Sequence, residues 1–140
     1  MVLAKEESTE DKTVFRVVQK KVILAVDDIR LHLMRINEVL SPDYDVRIAK
    51  SAMAALKIMT SEKIDLVLLD IEMPGVSGLD LLEAINRGED TKKIPVIFVT
   101  SHATGDFVLR AKEAGAKGYL IKPYDREKLT RMVQDALQEA

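Results

Sequence analysis

The run Ile64-Asp65-Leu66-Val67-Leu68-Leu69 is apolar at nearly every position and stops at a carboxylate, Asp70. A strand with one wet face alternates apolar and polar residues; this one hides both faces. It belongs in the middle of a parallel sheet, with helices above and below. Met73-Pro74-Gly75 and Gly78 then stop the strand and turn the chain. Open α/β sheets bind and react at the carboxyl ends of their strands. Asp70 is therefore the candidate reactive residue.

The flanking sequence repeats the pattern. Val22 to Val26 is a second apolar run, ending in Asp27-Asp28. Ile29 to Leu40 predicts a helix with Leu33, Ile36 and Leu40 on one stripe, broken by Ser41-Pro42-Asp43. Asp45 to Ala49 alternates, with Val46 and Ile48 on one side, as an outer strand does. Ser51 is placed to cap a helix carrying Ala52, Ala55, Leu56 and Met59 at helical spacing. Beyond Asp70, Ser77 or Gly78 opens a helix with Leu81, Leu82 and Ile85, ended by Gly88. Pro95 to Thr100 is a fourth strand. Thr104 to Ala114 predicts a helix with Phe107, Ala111 and Ala114 on one face, stopped by Gly115. Lys117 to Ile121 is the fifth strand, closed by Lys122-Pro123. Arg126 to Glu139 is the last helix, striped by Leu129, Met132, Val133, Ala136 and Leu137. Strand and helix alternate five times. Alternation at this spacing implies parallel strands, right-handed crossovers and helices on both sheet faces.

A chain of 140 residues suits one domain. Residues 1–19 stand apart from the pattern as an extension or linker, leaving 20–140 as the domain. Lys5 to Lys12 is polar and charged, and reads as solvated and mobile. Thr13 to Val18 reads as a short strand, either paired on a sheet edge or ending a linker. The 21 basic and 23 acidic residues give a net charge of -2, which makes no electrostatic case for nucleic acid. Without cysteine there is no disulfide, thiolate metal site or thiol nucleophile. No apolar run approaches a membrane span, and the first residues lack the apolar core of a signal peptide. A cytoplasmic protein is the expectation.

Four strand ends carry polar residues: Asp27 and Asp28, Asp70, Thr100, and Lys122. A parallel sheet brings those ends to one edge. Three carboxylates there repel one another. Mg2+, with its preference for hard oxygens, relieves the repulsion. The loaded cluster suits phosphoryl transfer to a carboxylate, with an acyl phosphate as product. A lysine can neutralise a phosphoryl oxygen as a point charge, and a threonine hydroxyl can donate to another. Taken singly, each residue has a plainer reading. Asp28 could cap the following helix, Thr100 could be a capping hydroxyl, and Lys122 could be exposed before a turn. His32 reads as a helix-surface residue.

The Asp27-Asp28 pair, D-I-E-M-P-G from Asp70 to Gly75 with Gly78, Thr100, and Y-L-I-K-P from Tyr119 to Pro123 resemble the receiver domain of bacterial two-component response regulators. The resemblance runs from about Lys20 to Glu139. It implies a flavodoxin-like (βα)5 three-layer sandwich around a parallel five-stranded sheet of order 2-1-3-4-5. It implies that Asp70 is the phosphoacceptor, served by a sensor histidine kinase or histidine phosphotransfer protein. Asp27, Asp28, Asp70 and the Glu72 backbone carbonyl would bind Mg2+, with Mn2+ as a substitute. Thr100 and Lys122 would contact the phosphoryl group. Lys122-Pro123 would be a cis peptide. Thr100 and Tyr119 would form the switch, reshaping the face made by the fourth helix, fifth strand and fifth helix. That face would serve a downstream protein, an attached output domain or a homodimer, with no nucleic acid or membrane contact by this domain. Glu72 and His102 would tune phosphoryl lifetime. Ser77 departs from the acidic or Asn residue common before the glycine.

Other functions fit less of the sequence. Aspartyl-phosphate phosphatases of the haloacid dehalogenase group use a second Asp two residues on, where Glu72 stands here. A flavodoxin-like flavin binder needs a hydroxyl- and glycine-rich phosphate loop where Asp27-Asp28 stand. A docking module that is never phosphorylated would have no use for the complete acceptor set. Ala140 follows the last helix directly, which suits a stand-alone regulator or a piece of a longer one.

Overall fold

Successive side chains of a strand point to opposite faces, and in the computed structural model both faces of the central strands are covered. The structure describes residues 2–7, 13–102 and 104–139. In chain order the elements are β1 (Val2–Glu7), β2 (Thr13–Val18), β3 (Val22–Val26), α1 (Arg30–Leu40), β4 (Asp45–Ala49), α2 (Ala52–Ser61), β5 (Leu66–Leu69), α3 (Gly78–Arg87), β6 (Val96–Thr100), α4 (Gly105–Glu113), β7 (Gly118–Ile121) and α5 (Arg126–Glu139). β3 to β7 form a five-stranded sheet in the order β4-β3-β5-β6-β7. Every pair in it is parallel. Counted within that sheet, the order is 2-1-3-4-5, as the resemblance implies.

Burial follows the pleat. Leu24, Val26, Val67, Leu69 and Phe98 pack with α2, α3 and Ala111 of α4. Ile23, Ala25, Leu66, Leu68 and Val99 pack on the other face with α1 and α5. Leu66 to Leu69 are each at most 1% exposed, so the run that set the expectation of a two-faced central strand fills both cores. The helix stripes agree: Leu33, Ile36 and Leu40 of α1 are buried, as are Leu129, Val133 and Ala136 of α5. Ser51 caps α2, accepting from the Ala54 N–H at 3.1 Å. Ser77 caps α3 in a reciprocal capping box with Asp80.

The N-terminal expectations are revised. Thr13–Val18 is a strand, but it does not join the main sheet. It pairs antiparallel with Val2–Glu7 in a separate two-stranded sheet, Val2 opposite Val18 and Glu7 opposite Thr13. Lys5, Glu6 and Glu7 therefore belong to a strand, each opposite a residue of the β-forming segment Thr13–Val18; residues 8–12 lie outside the described residues. In β4, Val46 packs toward α1, while Ile48 is 49% exposed at the sheet's edge. No helix among the described residues is long and apolar enough to cross a membrane.

Gly78 ties this frame to the carboxylate edge. Its N–H donates to the Ile71 carbonyl at 2.9 Å, closing the loop that leaves β5. A Cβ at Gly78 would lie 2.1 Å from the backbone oxygen of Asp70. Backbone cannot yield as a side chain tip can. Gly78→Ala is expected to destabilise the fold by about 1–3 kcal/mol, read as a lower urea midpoint with an unchanged slope.

Candidate functional site

Each parallel strand hands the chain to a loop at the same edge, and the polar residues flagged at those ends converge there. Asp27 follows β3 and is 2% exposed. Its N–H donates to the Ala49 carbonyl at 3.1 Å, and its Oδ1 accepts from the Ile29 N–H at 2.9 Å. Asp27 thus fixes the turn into α1 with one oxygen and presents the other to the site. Asp28, next in the chain, is exposed. Asp70 follows β5, its N–H donating to the Val26 carbonyl at 3.0 Å. It is 6% exposed. Carboxylate oxygens of Asp27, Asp28 and Asp70 lie within 4.8 Å of one another.

Lys122 answers this concentration of charge. It leaves β7 with its N–H donating to the Thr100 carbonyl at 2.8 Å, and its peptide bond to Pro123 is cis. Its Nζ donates to Asp27 Oδ2 and lies 3.6 Å from Asp70 Oδ2. Thr100, at the end of β6, is fully buried, and its Oγ1 accepts from the His102 N–H at 3.4 Å. Asp28, Asp70 and Lys122 open onto a cleft of about 620 Å³, lined also by Met73 and His102.

Glu72 and His102 meet across the cleft mouth, His102 Nε2 against Glu72 Oε1. The His102 ring packs against Phe107 in a tilted contact, 4.5 Å between centroids. The Tyr119 hydroxyl donates to the His102 carbonyl at 2.8 Å. Burial, then the negative charge of Asp70, pushes that hydroxyl above the usual tyrosine value, so it stays a donor.

His32 corrects the sequence reading. It is not a residue of the outer helix surface. Its Nδ1 lies 2.8 Å from Lys122 Nζ and 3.1 Å from Asp27 Oδ2, inside the acidic cluster. α1 begins three residues after Asp27, so its first turn overhangs the strand ends. That overhang was the available signal.

The donor set is chemically coherent for a hard divalent cation. The clustered groups are carboxylate oxygens, one of them on an exposed residue open to water.

A sequence model described as the response regulator receiver domain matches residues 23–134. The chain belongs to that family. The receiver is 35% identical over 86 residues to the chemotaxis protein CheY of Pseudomonas aeruginosa, covering 61% of this chain and 69% of that protein. It is 36% identical over 116 residues to a probable cyclic di-GMP phosphodiesterase of Vibrio cholerae. That match covers 83% of this chain and only 26% of the phosphodiesterase. A solved CheY-like receiver domain protein from Methanospirillum hungatei has a TM-score of 0.80 and 30% identity, covering 86% of this chain and 96% of that one. A solved receiver domain from Clostridium thermocellum has a TM-score of 0.78 and 33% identity, covering 85% and 95%.

The receiver's cluster has a measurable cost. Burial raises the Asp70 carboxyl above its ordinary 3.8; Thr100 and Lys122 pull it back, and the charge of Asp27 pushes it up again. The folded chain then holds this proton more tightly than the unfolded chain. The associated stability is present below the ordinary value and is lost as pH rises through the folded value. Asp70→Asn is expected to raise the urea midpoint at pH 7 in metal-free buffer, with the gap to wild type closing as pH falls toward about 4. A variant no more stable than wild type at pH 7 would contradict a destabilising buried charge.

Proposed function

We propose that this receiver is a phosphoacceptor switch in which Asp70 takes a phosphoryl group from the phosphohistidine of a partner kinase or phosphotransfer protein. The observation that carries the reading is the meeting of Asp27, Asp28, Asp70 and Lys122 at one sheet edge, from strand ends distant in sequence. A carboxylate oxygen of Asp70 attacks phosphorus, the P–N bond breaks, and the departing imidazole nitrogen keeps the bonding pair. Asp27, Asp28, Asp70 and the Glu72 backbone carbonyl would hold Mg2+, or Mn2+ in its place. When bound, that ion offsets charge on the phosphoryl oxygens. Lys122 supplies a point charge to the transferred group, and the Thr100 hydroxyl a donor. The receiver acts as a regulatory acceptor and not as a turnover enzyme, with hydrolysis of the acyl phosphate resetting it. Glu72 and His102, paired at the mouth, stand where water must enter and tune that reset.

The readout runs through Tyr119. Phosphorylation adds about -1.5 to -2 charges and three acceptor oxygens. Thr100 moves toward them, and Tyr119 gives up its bond to the His102 carbonyl to rotate inward. The face of α4, β7 and α5 then changes for a downstream protein, an attached output domain or a second receiver. The similarity to one segment of a probable phosphodiesterase is consistent with output carried by another module. A cytoplasmic location and a domain of residues 20–140 preceded by a separate extension go with this reading.

Acetyl phosphate with Mg2+ is expected to label wild type at an acid-stable, hydroxylamine-sensitive site. Asp70→Asn should abolish the label, and excess EDTA should do the same to wild type. Persistent labelling of Asp70→Asn by intact mass would sink the assignment. Tyr119→Ala is expected to keep the label yet bind a phosphorylation-dependent partner at least tenfold more weakly, a loss of about 1.4 kcal/mol or more. Equal partner affinity for the two proteins would remove Tyr119 from the switch.

A further inference from the structure

His32 has no part in the reading above, yet it touches two of the residues that reading uses. It lies in the first turn of α1, its side chain 34% exposed. Its Nδ1 stands 2.8 Å from Lys122 Nζ. A lysine ammonium has donors and no acceptor, so at this distance the ring nitrogen accepts. The 3.1 Å approach of the same nitrogen to Asp27 Oδ2 is then a contact between two acceptors drawn together by the cation they share. Asp70 Oδ2, at 3.6 Å from the ammonium, is beyond hydrogen-bond distance. Two of the three ammonium protons are thus taken up on the Asp27 side of the site.

We propose that His32 is a positioning residue for Lys122: it accepts one N–H, holds the ammonium beside Asp27, and keeps Asp70 Oδ2 free to react. The inference rests on the phosphoacceptor reading of Asp70. Left with carboxylates alone, the ammonium would bridge Asp27 and Asp70. An N–H on the attacking oxygen would tie up the lone pair that must reach phosphorus and would crowd the cation's ligand. A neutral ring nitrogen is the right kind of hold. It satisfies a donor without adding a charge. It also gives way, because a phosphoryl oxygen carries the negative charge that the ring nitrogen lacks and so attracts the ammonium as one full charge attracts another. Lys122 therefore stays off Asp70 before transfer and leaves His32 once the phosphoryl oxygens arrive.

The test uses the full chain and begins without metal. The wild-type ¹H–¹⁵N spectrum of lysine ammonium groups is expected to show one exchange-protected signal, assigned to Lys122 by its loss in Lys122→Met. His32→Leu should abolish or strongly shift it, and His32→Gln, which retains an acceptor, should restore it. With acetyl phosphate and Mg2+, His32→Leu should label roughly tenfold more slowly, the scale of one hydrogen bond to a charged group. His32→Gln should recover most of that loss. In a Lys122→Met background, His32→Leu should change nothing further, since the residue acts through the lysine. The proposal is overturned if wild type has no protected Lys122 signal, if His32→Leu leaves that signal unmoved, or if the rate loss persists without the lysine. The two readings fail separately. A wild type that takes no phosphoryl group defeats the acceptor assignment, while the metal-free spectra still decide whether His32 holds Lys122.

Discussion

The site depends on an ammonium set beside carboxylates that have been taken out of water. Asp27 and Asp70 are both buried, and Lys122 is the cation that meets them. A buried charge without a partner costs several kcal/mol, so apolar strands could not present these aspartates together unless a cation arrived with them. The lysine comes from β7, while Asp27 follows β3, and β5 and β6 lie between. Only a long, flexible stem covers that distance. A planar guanidinium would bind two carboxylate oxygens bidentately and hold on; an ammonium can be passed from one acceptor to the next.

The loop after β6 joins this cluster to the outer surface. Thr100 closes the inner end, buried behind Asp70. Two residues on, His102 touches Glu72 at the cleft mouth through its ring and Tyr119 through its carbonyl. Phe107 of α4 packs on the same ring. A displacement of this loop is therefore felt at once by the acidic cleft, by α4 and by β7. The coupling needs no long chain of intermediates, because one short segment contacts all three.

The sheet and the acidic edge were readable because they rest on local periodicity and on one topological rule. Apolar runs such as Leu66 to Leu69 are two-faced whatever surrounds them. Parallel strands then put Asp27, Asp28, Asp70, Thr100 and Lys122 on a common edge. What escaped depends on phase and partner. Leu33 and Ile36 mark the core side of α1, yet no periodicity says that His32 hangs over the strand ends beside Lys122, 90 residues away. Thr13–Val18 announced a strand but not its mate, since a strand's own pattern does not specify which edge it meets. The Glu72–His102 contact was equally hidden, being a meeting of two loop side chains.

The long separations inside the site also bear on how the chain acquires it. Asp27 and Lys122 are 95 residues apart. Parallel pairing needs crossovers, and contacts of high sequence separation form slowly. Pairing of β3 with β5 alone sets Asp27 and Asp70 side by side without the lysine that β7 delivers. A half-built sheet thus holds like charges with nothing between them, and its last strand closes the charge balance as well as the fold. The full set of charges at this edge exists only when β3, β5, β6 and β7 are paired in one sheet.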